Sequence, residues 1–488
     1  MSTAWAGLNE AQVRDIGLRF VLDSLSPDSP FGAEAVRACA PFARFDFARL
    51  DDALYNVRQA VAHAEDDHFG VIRRLLPRFK NIRNTVKKCA ESALHEVELF
   101  EMKNFLITFE KLREAYLLLD TKTRFRLSPF IDMTEPLCML DPTGRRLSPF
   151  TLDETLYPPL LSIRREKIRL EGLLRTETDK SARERLKLDR LGIVAQEEAM
   201  ENEAKKSLSA AMRPFLLAFE HNMNQIGELD FTLQKALLAK STHAVCPAVS
   251  NGGALVLENM TNPAIADILA QAQKAFTPLT LTLSSGVTML TGANMGGKSV
   301  AMKTAVLNIT LGQMGFFVFA EKCQMPLFDG VCFISEDLQS VRRGLSSFGA
   351  EIVQINDIVQ RAKQSFLFIA MDEPARGTNP KEGTAIVKAV AKHLHQSGCI
   401  CLISTHYDIK TTDFMHYQVA GLSQTDFAAL QRQITQAANG IDTIAALMDY
   451  RLIRVESHCI PPRDALNICK LLSLDEAILH EIESELSG

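Results

Sequence analysis

Apolar side chains in the first part of the chain recur at the three- and four-residue spacing of an amphipathic helix. Val86, Cys89, Val97 and Phe100 belong to one such series, and the strict alternation of a half-buried strand is rare there. The pattern predicts an all-α core domain over residues 1–130.

The next part combines a turn-rich connector with long polar helices. Residues 123–149 are rich in Pro and Asp, whereas 160–174 and 182–219 are charged and almost free of Gly and Pro. The break at 176–181 separates the two long segments. We predict a connector followed by a helical hairpin or short antiparallel coiled coil, together covering residues 131–240.

The pattern changes again after this hairpin. Continuous apolar runs of strand length occur at Val287–Leu290, Phe366–Met371 and Cys399–Ser404, and residues 300–314 keep a helical spacing. Short continuous runs are typical of parallel strands buried on both faces. The chain is therefore expected to be multidomain, with the all-α core and lever part preceding an α/β domain over residues 241–425.

A glycine-rich loop follows the first of these strands. Residues 291–299 read TGANMGGKS, which places Gly292, Gly297, Lys298 and Ser299 in the pattern G-x-x-x-x-G-K-S. The glycines let backbone N–H groups converge on phosphate oxygens, the lysine reaches the terminal phosphates, and the serine hydroxyl binds Mg²⁺. Because a strand precedes the loop and a helix follows it, the sequence predicts a nucleotide phosphate-binding loop.

Polar side chains also follow the other two apolar strands. Asp372 and Glu373 come directly after the second strand, and His406 comes shortly after the third. Open α/β sheets bind ligands at the carboxyl edge of their parallel strands. We expect Asp372 to hold Mg²⁺, Glu373 to orient or deprotonate the attacking water, and His406 to sense the γ-phosphate.

Composition narrows the class of protein. The chain has 488 residues, a formal net charge of −5 and ten cysteines. The scattered cysteines indicate reduced thiols and a cytoplasmic protein, and the acidic balance is not typical of a nucleic-acid binder. No apolar run reaches the roughly 18 residues that cross a membrane, so no membrane partner is expected and an ABC transporter with fused spans is excluded.

One stretch is basic against this acidic background. Residues 73–88 contain seven cations and no acid, namely Arg73, Arg74, Arg78, Lys80, Arg83, Lys87 and Lys88. Such a stretch fits contact with DNA phosphates, and it also fits a solvated helix face. The sequence leaves both interpretations open.

Three motifs together resemble the ATPase domain of the MutS family. They are residues 292–299, the DEPARGT of 372–378 and the STHY of 404–407. The resemblance implies an ABC-type P-loop NTPase fold, ATP and Mg²⁺ as cofactors, and a homodimer in which each nucleotide lies between two subunits. It also implies a set of nucleotide-binding residues, which are Gly292, Ala293, Asn294, Met295, Gly296, Gly297, Lys298 and Ser299.

The resemblance extends to three residues outside these motifs. Ser346 and Ser347 lie where the family has its signature segment, so they are implied to act in trans on the partner's nucleotide. Phe276 lies where the family has an aromatic residue that stacks on adenine, although a buried core Phe is equally typical. Pro374 departs from the family, in which Ile usually follows the two acids; because Pro lacks an N–H and restricts the preceding residue, we expect it to affect Glu373 and the rate of hydrolysis.

The two ends of the chain are also similar to parts of MutS proteins. The helices resemble the core and lever region, with residues 226–230 ahead of a final helix. No mismatch-reading domain with a Phe-x-Glu wedge is recognisable before them, so we expect a short form that lacks the N-terminal mismatch-binding domain. Tyr450–Leu452 and residues 464–474 resemble the helical segment through which MutS ATPases dimerise, predicted over 426–488. The insertion at 420–448 has no assignment.

Two functions fit this combination. In the first, closure around ATP moves helical arms that bind DNA, in a role like mismatch repair or junction processing. In the second, the arms act on a protein client, as in the similar short ATPases proposed to reactivate cobalamin-dependent amino-acid aminomutases. Both functions include ATP hydrolysis.

Overall fold

The computed structural model describes residues 7–146, 152, 157–292, 297–335, 347–407, 414–421, 449–455, 469 and 474–485. The chain divides into two compact units. The helical unit consists of Ser26–Ala38 and Gln59–Ala236, and the sheet unit consists of Met1–Leu25, Cys39–Arg58 and Leu237–Gly488.

The described helices are, in chain order, α1 (Glu10–Asp15), α2 (Leu18–Asp23), α3 (Pro30–Ala38), α4 (Phe47–Ala62), α5 (Asp67–Leu75), α6 (Arg83–Glu91), α7 (Glu96–Thr123), α8 (Thr134–Leu140), α9 (Leu160–Thr176), α10 (Lys180–Met212), α11 (Leu216–Thr242), α12 (Pro263–Gln271), α13 (Lys298–Gln313), α14 (Ser347–Ala362), α15 (Pro380–His395) and α16 (Glu476–Glu485). The described strands are β1 (Ala248–Ser250), β2 (Leu255–Met260), β3 (Leu279–Leu283), β4 (Gly286–Thr291), β5 (Lys322–Pro326), β6 (Gly330–Ile334), β7 (Leu367–Met371), β8 (Ile400–Ser404), β9 (Met415–Gly421) and β10 (Asp449–Arg454).

An aromatic cluster forms part of the core of the helical unit. The Phe105 ring lies 5.3 Å from the Phe79 ring and 5.6 Å from the Phe219 ring, measured between centroids, and Phe31 meets the first two edge to face. Aromatic rings bury large apolar areas and favour such tilted contacts. The cluster therefore joins α3, α7 and α11 with the turn that precedes α6.

The predicted hairpin is present as α9 and α10, which pack against each other. Ion pairs link the two helices: Glu197 Oε1 lies 3.0 Å from Arg164 Nε, Glu197 Oε2 lies 2.5 Å from Lys167 Nζ, and Glu171 lies 2.8 Å from Arg190. The second helix ends at Met212, earlier than expected, and a 3₁₀ turn containing Pro214 follows it. Proline removes a helical donor, which accounts for the break.

The expectation that residues 226–230 precede a final helix is wrong, because they lie inside α11. Glycine is needed at position 227 because a Cβ there would lie only 2.7 Å from the Phe31 carbonyl oxygen. Asp230 is fully buried and accepts hydrogen bonds from the backbone N–H (2.7 Å) and the hydroxyl (2.6 Å) of Ser29. This segment therefore packs against α3 and satisfies the backbone at its start.

The sheet unit contains a six-stranded sheet in the order β10-β9-β4-β8-β7-β6. Strands β9, β4, β8, β7 and β6 pair in parallel, and β10 pairs antiparallel with β9. Strands β4, β7 and β8 are fully buried, as their continuous apolar runs predict. Their carboxyl ends lie at one edge of the sheet, with the phosphate loop, the two acids and the Thr-His pair following them.

A second sheet has the order β1-β5-β2-β3. Residues at the start of the chain also belong to the sheet unit: Val13 and Ile16 are fully buried, the Ile16 carbonyl accepts a 3.0 Å hydrogen bond from the Asn262 amide, and Asp15 pairs with Lys303 of α13. This arrangement differs from the expected single core domain over residues 1–130, because the apolar faces of the first short helices are buried in the sheet unit.

The C-terminal part differs from its prediction in one respect. Tyr450–Leu452 lie in strand β10 and not in a helix, with Leu452 opposite Val419 of β9. The backbone donors of this segment are satisfied by an edge of the sheet, which explains the extended conformation. Of residues 464–474, only Cys469 and Leu474 are among the described residues, and the unassigned insertion lies largely outside them.

Candidate nucleotide site at the sheet edge

Two glycines of the phosphate loop adopt backbone conformations that favour glycine. Gly292 follows β4 with φ of +139°, and Gly297 precedes α13 with φ of +80°. A Cβ at Gly292 would also lie 3.0 Å from the Val419 Cβ. The local backbone thus explains the first and last glycines of the motif. Residues 293–296, which include four predicted nucleotide ligands, lie outside the described residues.

Lys298 begins α13 and points into the protein. Its side chain is only 3% exposed, and its Nζ donates a 2.7 Å hydrogen bond to the Gly292 carbonyl. The same Nζ lies 3.2 Å from Glu373 Oε1. A buried ammonium is stable only with such partners, because removing it from water without them is very costly. The lysine therefore links the phosphate loop to the second of the two acids.

Ser404 connects the two acids at the end of β7. Its hydroxyl donates a 2.6 Å hydrogen bond to Asp372 Oδ1 and accepts a 2.9 Å hydrogen bond from the Glu373 backbone N–H. The residue ends β8 and is 0% exposed. One buried hydroxyl thus orients the Asp372 carboxylate and the backbone of Glu373.

The acidic segment has an unusual backbone. Glu373 has φ of +47° and Ala375 has φ of +62°, both in the left-handed region that non-glycine residues rarely adopt. Pro374 further disfavours helical conformations of the residue before it. Such conformations persist where the surrounding contacts fix them, and they concentrate at functional sites.

Two further polar groups approach the other oxygen of Glu373. His406 Nδ1 lies 3.5 Å and Arg376 Nη1 lies 3.6 Å from Glu373 Oε2. The His406 side chain is 36% exposed, so it faces solvent as well as the acid. The predicted γ-phosphate sensor and the predicted base are therefore neighbours, and Arg376 joins them.

Other predicted site residues are less closely tied to this cluster. Ser299 is exposed in the first turn of α13, and Phe276 is half-buried in the segment before β3. Ser347 begins α14, but its side chain is not among the described features, and Ser346 lies outside the described residues. The roles of these residues remain predictions.

Sequence reasoning missed the parts played by Ser404 and Arg376. Both lie in quoted motifs, but neither had a role assigned from residue type. A signal for Ser404 was available, because a serine that ends a fully apolar strand beside the acid-bearing strand has few partners other than those acids. The partner of Arg376, three residues after Glu373, depends on the local backbone and could not be read from spacing.

Comparison with known proteins identifies the part of the chain that holds this cluster. Residues 288–450 match the family model MutS domain V. The Endonuclease MutS2 of Streptococcus pyogenes serotype M49 is 30% identical over 214 residues, which cover 44% of this chain and 27% of that protein. That of Agathobacter rectalis is 33% identical over 223 residues, with 45% and 27% covered.

A longer similarity reaches into the helical unit. The Endonuclease MutS2 of Caldicellulosiruptor saccharolyticus is 25% identical over 456 residues, which cover 89% of this chain and 52% of that protein. The chain thus spans about half the length of this relative. Among the described helices, none has the length and apolarity to cross a membrane. The chain therefore contains a MutS domain V, which holds the lysine and both acids, and it is similar to an Endonuclease MutS2 over most of its length.

Proposed function

We propose that this protein binds and hydrolyses ATP at the carboxyl edge of its six-stranded sheet. The observation that carries the proposal is the buried cluster in which Lys298 contacts Glu373 while Ser404 bridges Glu373 and Asp372. A lysine from a phosphate loop and two adjacent carboxylates meet here at the end of parallel strands. These are the groups that phosphoryl transfer to water requires.

Each group has a distinct task in the proposed reaction. Lys298 binds the terminal phosphates, and in doing so it exchanges its contact with Glu373 for phosphate oxygens. Glu373, released from the ammonium, orients or deprotonates the attacking water. His406 lies close enough to Glu373 to contact the γ-phosphate beside that water. The lysine–acid pair would then keep both groups ordered before nucleotide arrives.

The chemistry of the remaining oxygen donors fits Mg²⁺. Ser299 offers an exposed hydroxyl at the start of α13, and Asp372 offers a carboxylate oriented by Ser404. Mg²⁺ prefers oxygen ligands and is usually held by one or two carboxylates together with substrate phosphates. When bound, the ion would neutralise charge that develops on the phosphate oxygens.

The family supplies the larger context of the proposal. MutS proteins are ATPases that act on DNA as dimers, so we propose a homodimer in which Ser346 and Ser347 of one subunit complete the nucleotide site of the other. Phe276 is proposed to contact the adenine. Closure of the dimer around ATP would then move the helical arms.

DNA is the client that the observations favour. The relatives are named endonucleases, a name that refers to nucleic acid, and nothing in the comparisons supports the alternative protein client. The basic stretch supports DNA binding less strongly than its composition suggests, since Arg73, Arg83 and Lys88 pair with acids of the helical unit. The other four cations, Arg74, Arg78, Lys80 and Lys87, are exposed and are the ones proposed to meet phosphates.

Steady-state ATP turnover of the purified protein tests the proposal, measured with and without duplex, mismatched and branched DNA at low and physiological salt. We expect turnover that Lys298→Ala abolishes by weakening nucleotide binding. Glu373→Gln should still bind ATP but hydrolyse it slowly. Absence of turnover in the wild type, or full turnover in both variants, would refute the ATPase assignment.

The DNA part is tested separately. Reversal of the charges on the exposed cations of the basic stretch should remove DNA stimulation and leave basal turnover unchanged. Turnover that is indifferent to every DNA would overturn the DNA client and leave the ATPase proposal standing.

A further inference from the structure

We propose that Glu351 and Tyr407 are positioning residues that hold the catalytic Glu373 in place by binding the backbone N–H and the backbone carbonyl of one nearby residue, Ala375. The inference rests on the proposed ATPase function and adds two residues to its machinery. Glu351 belongs to α14, and Tyr407 directly follows His406. Neither side chain is proposed to touch the nucleotide.

The contacts converge on Ala375, two residues after the acid. The Ala375 backbone N–H donates a 2.9 Å hydrogen bond to Glu351 Oε1, and the Ala375 carbonyl accepts a 2.9 Å hydrogen bond from the Tyr407 hydroxyl. Because Pro374 has no N–H, the Ala375 amide is the first backbone donor after Glu373. Both polar groups of this residue are therefore satisfied by side chains from other elements.

Close packing around Ala375 leaves little room for another backbone conformation of the acidic segment. Ala375 is 0% exposed, and a Cβ at Gly383 would lie 2.3 Å from the Tyr407 hydroxyl oxygen and 3.1 Å from the Ala375 carbonyl oxygen. A Cβ at Gly377 would lie 3.3 Å from the Phe348 Cβ. Two glycines thus allow α14 and Tyr407 to approach the acidic segment closely.

The backbone of this segment shows what the contacts are needed for. Glu373 and Ala375 both have positive φ, a left-handed conformation that is unfavourable for non-glycine residues. Without fixed partners, the segment would relax and the Glu373 carboxylate would leave its place beside Lys298. Hydrogen bonds to both sides of Ala375 oppose this relaxation.

Glu351 is well suited to a positioning role. Burial raises the pKa of its carboxyl group, and the backbone hydrogen bond from Ala375 partly opposes that shift. A hydrogen bond from an N–H needs only an acceptor oxygen, which an uncharged amide also supplies. Glutamine should therefore replace Glu351 with little loss, whereas alanine should not.

The position of Glu351 on α14 has a mechanistic consequence. The helix begins at Ser347, one of the serines predicted to act on the partner's nucleotide. The same helix would then contact the nucleotide of one site and hold the acid of the other. Glu351 acts in cis, although its sequence neighbours act in trans.

Three substitutions test the positioning role by separating turnover from binding. We expect Glu351→Ala and Tyr407→Phe to lower kcat roughly 10- to 100-fold, because small displacements of a catalytic group have effects of this size. The Kd for ATP should change less than about threefold, since Lys298 and the phosphate loop are untouched. Glu351→Gln should restore kcat to within about threefold of the wild type.

Two control substitutions lie outside these contacts. Tyr417→Phe deletes a buried tyrosine hydroxyl that bonds to the Thr282 backbone, and Asn356→Ala changes an exposed residue of α14. Neither should change kcat by more than about twofold. Wild-type kcat in Glu351→Ala and Tyr407→Phe would overturn the inference, as would an equal loss in Glu351→Gln. If Lys298→Ala and Glu373→Gln also kept full turnover, the proposed function itself would have failed.

Mixed dimers distinguish action in cis from action in trans. A Lys298→Ala subunit combined with a Ser346→Ala, Ser347→Ala subunit should regain turnover, because one site then has an intact loop and an intact signature. Lys298→Ala combined with Glu351→Ala should not regain it, since the intact loop then lies in the subunit that lacks Glu351. Equal recovery in both mixtures would place Glu351 with the trans signature and refute the cis role.

Discussion

Ser404→Ala tests how strongly a single hydroxyl organises the acidic pair. The substitution removes an acceptor 2.9 Å from the Glu373 N–H and a donor 2.6 Å from Asp372 Oδ1, in a residue that is 0% exposed. No solvent reaches this position to replace the lost partner. The change is therefore a loss of two buried hydrogen bonds with almost no loss of apolar packing.

The expected magnitude follows from these two contacts. A hydrogen bond to a charged group contributes about 1.5–3 kcal/mol, and a buried N–H left without an acceptor costs about 1–3 kcal/mol. Because one hydroxyl makes both bonds, the terms are not independent, and we expect a total of about 2–4 kcal/mol. The free energy of unfolding of the sheet unit should fall by this amount, and kcat for ATP should fall by about tenfold or more.

Urea unfolding followed by circular dichroism, together with ATP turnover, measures both effects. Ser335→Ala is the matched control: it is the same substitution at a buried serine that follows β6, on the other side of β7 from Ser404. The Ser335 Oγ has no hydrogen-bond partner among the residues that the structure describes. The control should change stability by less than about 1 kcal/mol. Equal effects of the two substitutions would show that Ser404 does not organise the acids.

Three further outcomes are expected. Arg83→Ala should lower the thermal stability of the helical unit at every DNA concentration, because Arg83 pairs with Glu34 and Glu220; an intact melting temperature with weakened DNA binding would contradict this. Burial lowers the pKa of His416, so the unfolded state binds a proton more readily than the folded state does. The free energy of unfolding should therefore keep its full value above the ordinary histidine pKa and should fall as the pH drops below it. His416→Gln should flatten that dependence in urea titrations between about pH 7 and 5. Gly297→Ala should reduce nucleotide affinity measured by titration calorimetry, because its φ of +80° disfavours a Cβ.

Much of the architecture could be predicted from residue patterns. The three apolar runs became β4, β7 and β8, and the two charged segments became α9 and α10. These predictions succeeded because burial on both faces of a sheet, or along one side of a helix, leaves a periodic trace in the sequence.

Long-range contacts left no such trace. The burial of Val13 and Ile16 in the sheet unit depends on contacts with residues far along the chain, and helical periodicity does not identify the partner. Tyr450–Leu452 form a strand because β9 offers a free edge, which only the assembled sheet reveals. The hydrogen bond from Ala375 to Glu351 likewise depends on tertiary packing.

The hairpin of α9 and α10 affects how the proposed DNA binding can be measured. Its helices are linked by ion pairs, among them those of Glu197 with Arg164 and Lys167, while Leu160 and Leu170 are the fully buried apolar side chains of α9. Added salt that displaces counterion-driven DNA contacts also screens attraction between these helices. The slope of the logarithm of the DNA-binding constant against the logarithm of the salt concentration would then overestimate the number of phosphates that the protein contacts. Helicity measured over the same salt range would separate the two effects.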